Sequence, residues 1–120
     1  MPGYRYESTT VVDAAPAAIA VHLASPEAWA AWVPEVRVTV ATRTPRRVQG
    51  TARLPRSRGT ASSVVEMSTG ANADMGTLVS WTLTGPRSAP VKALARLGYN
   101  RSRLRRMATA LERLRILAER

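Results

Sequence analysis

Residues 101–120, RSRLRRMATALERLRILAER, decide how the rest of the chain is read. Leu104, Met107, Leu111, Leu114 and Leu117 recur at spacings of three, four, three and three, which sets them on one face of an α-helix whose remainder is coated with arginine. A helix with one apolar stripe gains most of its stability by laying that stripe on another apolar surface. The preceding residues offer one as a series of alternating segments, so the pattern predicts a sheet that receives this helix.

Working outward, Tyr4, Tyr6, Ser8, Thr10 and Val12 share one side of a first strand. Pro16 suits a first helical turn, because its missing N–H would have no partner there, and Ala17–Ala24 follows as a short helix with Ile19, Ala20 and Leu23 inward. Ser25-Pro26-Glu27 supplies a hydroxyl cap, a first-turn proline and an acid at the positive helix end, which begins a second short helix carrying Trp29 and Trp32 until Pro34 stops it. Val36, Val38 and Val40 alternate as a second strand, with a turn at Thr44-Pro45-Arg46-Arg47. Val48–Leu54 and Thr60–Ser68 read as strands around a Pro55–Gly59 turn, and Gly70–Asp74 has turn chemistry before a strand at Gly76–Thr84, where Val79, Trp81 and Leu83 share a face. Pro90–Leu97 reads as a short helical stretch, interrupted near Gly98-Tyr99-Asn100. The prediction is an α+β chain: two short helices after strand 1, and a curved antiparallel sheet of about five to six strands packed around a long C-terminal helix. Residues 1–120 suit one domain that buries roughly two-thirds of its unfolded surface.

Composition narrows the chemistry. With no cysteine there is neither a disulfide framework nor a thiolate site. The start of the chain has no apolar export segment, and no run approaches the roughly 20 apolar residues of a membrane span, so a cytoplasmic location is expected. The net charge of +10 is unevenly spread. Residues 37–58 hold seven arginines and no acid, and residues 87–120 hold ten basic residues against Glu112 and Glu119, while the remaining segments are net acidic. Such blocks suit nucleic acid, an anionic membrane or an anionic ligand, and they also suit a plain solvated arginine surface.

Candidate sites are few. His22 is the only histidine, so a Ser-His-Asp set has little to build on, and no clustered carboxylates or cysteines suggest a metal. The glycines of residues 50–59 and 70–76 lack phosphate-loop spacing, and no cofactor is implied. Trp32 and Trp81 could stack on a flat ligand or simply fill the core, and Met67, Leu104, Met107 and Leu111 could line the same space. Arg37, Arg53 and Tyr99 are polar groups able to fix an anion if they face inward.

Several of these segments together are familiar. Tyr4–Asp13, Ala15-Pro16-Ala17, Ser25-Pro26-Glu27, Trp32-Val33-Pro34-Glu35-Val36 and the ending Leu111–Glu119 resemble the START-like (SRPBCC) superfamily, specifically its polyketide cyclase/dehydrase-type members. The resemblance covers about the first 40 and the last 20 residues. It implies a helix-grip fold, with a curved sheet around the terminal helix and a cavity between them for lipid-, aromatic- or polyketide-like molecules, in some members with cyclisation or dehydration. It also recasts Trp32, Met67, Trp81, Leu104, Met107 and Leu111 as cavity lining. The chain departs from the family in having five recognisable strands where seven are usual, the deficit lying between Arg43 and Met75. A missing hairpin implies a smaller or more open cavity and a free sheet edge, which a second copy could cover as a homodimer. The other reading of function is a basic surface of Arg101, Arg103, Arg105, Arg106, Arg113 and Arg115 that docks on RNA, a ribosome or an anionic membrane.

Overall fold

A computed structural model of the chain describes residues 3–33, 36–53, 60–69, 76–86 and 99–120, with backbone alone at Gly3, Tyr4, Pro86, Tyr99 and Asn100. Strand β1 (Gly3–Val12) leads into helix α1 (Pro16–Ala20), one 3-10 turn (Val21–Leu23) and helix α2 (Pro26–Ala30). Strands β2 (Arg37–Thr44), β3 (Arg47–Arg53), β4 (Ala61–Thr69) and β5 (Thr77–Pro86) follow, and helix α3 (Tyr99–Ala118) ends the series. The five strands form one antiparallel sheet in the order β1-β5-β4-β3-β2. The expected helical stretch at Pro90–Leu97 and the turns at Pro55–Gly59 and Gly70–Asp74 lie outside the described residues. Among the described residues no helix is long and apolar enough to cross a membrane.

Alternation puts one face of every strand inside. Tyr6 pairs with Leu83, Leu83 with Ser63, Ser63 with Gly50 and Gly50 with Val40, so these five form one row across the inner face. The next row runs Ser8, Trp81, Val65 and Val48. The inner face is graded in size: Val48, Val65, Met67 and Val79 are buried in one half, and Gly50, Ala52, Ala61 and Ser63 in the other. The pairing of β2 with β3 is irregular at Gly50. There β2 carries an extra residue between Val40 and Thr42, and a Cβ on Gly50 would lie 1.8 Å from the Thr39 carbonyl oxygen. A bulge opposite a glycine lets one backbone fold over the other.

Because β1 and β2 are consecutive in sequence yet lie at opposite edges, α1, the 3-10 turn and α2 must bridge the sheet. Their starts are set locally. Pro16 occupies the first turn of α1, and the Ser25 hydroxyl caps α2 by accepting from the Ala28 N–H at 3.2 Å, with Glu27 in the first turn. The helix expected over Ala17–Ala24 is shorter, giving way to the 3-10 turn, while Ile19 and Leu23 are buried as expected.

Helix α3 packs principally along β1. Twenty helical residues and ten strand residues both span about 30 Å, so the two elements match in length. The Glu119 carboxylate accepts from the Asp13 N–H at 3.1 Å and ties the end of the helix to the end of the strand. Met107, Ala110, Leu111 and Leu114 are buried, and Leu117 packs against them in part. Each large side chain contributes about 1.5–3 kcal/mol by leaving water.

The stripe differs from the expected one at its first turn. Leu104 is 40 % exposed and Arg103 is 2 % exposed. At about 100° per residue Leu104 lies roughly 70° from the centre of the buried face, whereas Arg103 lies roughly 30° from it. Leu104 is therefore removed from the cavity-lining set and Arg103 from the basic surface.

Gly50→Ala should cost about 2–4 kcal/mol in urea unfolding, since its methyl meets backbone that cannot move independently, while Gln49→Ala on the exposed face should stay within about 0.5 kcal/mol. Equal effects would contradict the close backbone approach at Gly50.

Candidate functional site

The interior between sheet and helices centres on three indole rings. Trp29 on α2 and Trp32 just beyond it stack with ring centroids 4.7 Å apart at 28°. Trp81, from mid-sheet, meets both at 5.7 Å, tilted at 58° to Trp29 and edge-on at 69° to Trp32. All three are at most 1 % exposed. Stacked and edge-to-face indoles add about 0.5–1.5 kcal/mol per pair beyond the burial of their area.

Each buried indole N–H needs an acceptor, and each has one. Trp29 Nε1 donates to the Leu23 carbonyl and Trp32 Nε1 to the His22 carbonyl, both at 3.1 Å, which fastens α2 to the 3-10 turn. Trp81 Nε1 donates to the Ser63 hydroxyl at 3.0 Å. The rings thus tie the helical bridge to the sheet. Half-buried His22 contributes its backbone carbonyl to this arrangement.

Of the residues expected to line a cavity, Trp32 and Trp81 are in direct contact, and Met67, Met107 and Leu111 belong to the same buried cluster. Trp29 completes the aromatic group. Its signal was the i, i+3 spacing to Trp32, which brings both rings to one side of a helical turn. Arg37 and Arg53 are exposed and directly paired across β2 and β3, so neither serves the interior, and the side chain of Tyr99 lies outside the described set.

Among the described residues four polar side chains are buried: Tyr6, Ser63, Thr77 and Arg103. Thr77 is structural, donating to the Ala14 carbonyl at 2.7 Å. Tyr6 and Ser63 share a row through Leu83. A phenol, a hydroxyl and a guanidinium can hold and orient an oxygen atom. Among the described residues no carboxylate or imidazole is buried with them. A groove of about 440 Å³ also flanks the helix carrying Trp29, floored by Ala30, Val36 and Val38, with Glu27 and Arg37 at its rim.

The outer arginines divide in two. Arg115 donates to Glu112 and to Glu119, the latter at 2.7 Å. The Arg115 hydrogen bond, and secondarily its charge, hold the Glu112 carboxyl below its ordinary value, and reciprocally the Arg115 guanidinium is held more firmly protonated. Arg101, Arg105, Arg106 and Arg113 are exposed and, among the described residues, face no carboxylate.

The chain matches no protein-family model and no curated protein. Solved structures share its fold. A protein of unknown function from Staphylococcus aureus superposes with a TM-score of 0.71 at 9 % identity, over 98 % of this chain and 94 % of that one. A protein from Mesorhizobium loti gives 0.69 at 9 % identity, over 95 % and 96 %. A protein of the dynemicin biosynthetic locus gives 0.54 at 16 % identity over 92 % of this chain, which spans 48 % of it. Identities this low carry the fold and no activity.

Ser63→Ala should destabilise the protein by about 1–3 kcal/mol in urea unfolding, because it strands the buried Trp81 N–H, whereas Ser80→Ala on the outer face should cost less than about 0.5 kcal/mol. A carbon-13 NMR titration should find Glu112 titrating below the ordinary glutamate range, and Arg115→Gln should restore it. Since the folded-state value is the lowered one, the associated stabilisation is present above the unfolded value and is lost as pH falls through the folded value.

Proposed function

We propose that this chain is a shortened START-like protein of the polyketide cyclase/dehydrase type, with a helix-grip fold, that binds a flat hydrophobic molecule between its sheet and its helices. The observation that carries the reading is the Trp29–Trp32–Trp81 cluster on an inner face whose neighbouring residues, Gly50, Ala52, Ala61 and Ser63, are small. Small residues leave room for rings, and the indoles offer aromatic walls to a flat guest. The strand order, with β1 and β2 at opposite edges and a helical bridge between them, supports the helix-grip assignment. The fold likeness to a protein of a biosynthetic locus adds to it.

In this reading affinity comes from apolar burial at about 25 cal/mol per Å² and from ring stacking. Tyr6 and Arg103 choose the orientation by hydrogen-bonding an oxygen of the guest. Cyclisation or dehydration of a polyketide-like chain would then rest on holding it folded, because proximity needs few special groups. Met67, Met107 and Leu111 adapt the apolar wall to the guest's shape.

The test is native mass spectrometry of protein purified from its own host, before and after mild denaturation. The expected result is an extra mass that leaves on unfolding, and the intact mass also reports whether a second copy is bound. Trp81→Phe and Trp32→Phe, checked for fold by circular dichroism, should each lower occupancy about tenfold. A mass that is apo throughout, with no shift in Tm on adding polycyclic aromatic or polyketide-like compounds, would overturn the proposal.

A further inference from the structure

We propose that the outer face of α3 docks on the phosphate backbone of a nucleic-acid duplex. Arg101, Arg105, Arg106 and Arg113 fall within an arc of about 140° and along about 18 Å of helix axis. They are exposed, and among the described residues none is matched by a carboxylate. Glu112 falls in the same arc and is neutralised by Arg115. Arg105, Arg106, Thr109 and Arg113 together line a shallow hollow, so the guanidinium groups surround a space that an oxyanion can enter. Nothing in the fold requires this charge on the outside, since the helix is held through its opposite face by Met107, Ala110, Leu111 and Leu114.

The chemistry of the face selects its partner. The chain has one lysine, Lys92, among 18 basic residues, and arginine is the side chain whose planar fork engages phosphate oxygens in pairs. An anionic membrane is disfavoured because it would gain only charge attraction, about 1 kcal/mol per arginine at its surface, the apolar face of α3 that would sink below the headgroups being already buried against the protein core. A single strand is disfavoured because residues 101–113 contain no aromatic side chain on which unpaired bases could stack. A duplex, with one negative charge for about every 1.7 Å of axis, needs only the cations. Binding of this kind positions the protein without reading sequence.

The experiment is fluorescence anisotropy with 20-base-pair RNA and DNA duplexes of arbitrary sequence, a single strand of the same length, and vesicles containing phosphatidylserine. Four phosphate contacts predict a slope of about −3.6 in log K against log salt, hence roughly a 150-fold loss between 50 and 200 mM salt. The triple variant Arg105→Gln, Arg106→Gln, Arg113→Gln keeps helix propensity and should reduce the slope to about −1. The control Arg43→Gln, Arg46→Gln, Arg47→Gln removes the same charge from the β2–β3 hairpin and should change affinity less than about threefold. Equal loss in the two triple variants would reassign the binding to net charge. No duplex binding at 50 mM salt, or tighter binding to vesicles or to the single strand than to either duplex, would also overturn the proposal.

Discussion

The contact of Trp29 and Trp32 with Trp81 is the interaction on which the rest of this structure depends. Consecutive strands β1 and β2 lie at opposite edges of the sheet, so the chain between them has to cross the interior and be held there. The crossing segment is short and alanine-rich, and α1 and α2 have five residues each, too few to be stable alone. Two indoles from this bridge close on a third from the sheet, and the bridge's own carbonyls take two of the three N–H groups. Stabilisation of the bridge and formation of the interior are therefore one event.

From that closure follows a division of the molecule into an apolar inside and an outside rich in charge. Inside, the inner face is graded in size and, among the described residues, carries few buried polar side chains. Outside, Arg115 is absorbed by two carboxylates, and the other α3 arginines project from a helix already anchored on its far side. The two faces of α3 are thus physically separate, and substitutions on one should be nearly additive with those on the other.

Most of the architecture was legible because period and punctuation agree. Alternation in Tyr6–Val12 and in Val79, Trp81 and Leu83 fixes which side of β1 and β5 is inside, and Ser25-Pro26-Glu27 marks the start of α2 through a cap that forms as expected. The inner side of α3 was legible from Met107 onward but not one turn earlier. A spacing of three or four tolerates tens of degrees of drift, so the choice between Arg103 and Leu104 falls to tertiary packing, which favours the side chain nearer the centre of the face even when it is charged. The close approach of Thr39 to Gly50 and the meeting of Trp81 with two residues some fifty positions earlier are long-range facts, and no local pattern encodes them. Of the residues expected to line a cavity, Trp32 and Trp81 are interior neighbours, whereas Leu104 is exposed and lies outside the buried face.

The central claim is that the tryptophan cluster is both the closure of the fold and the wall of the binding chamber. Nitrogen-15 NMR of the three indole N–H groups tests it most directly, first by hydrogen exchange and then by titration with a flat aromatic compound that raises Tm. The account predicts slow exchange for all three in the free protein and, on titration, resonance shifts that begin with Trp32 and Trp81. Fast indole exchange, or shifts confined to arginines on the outer face, would contradict it.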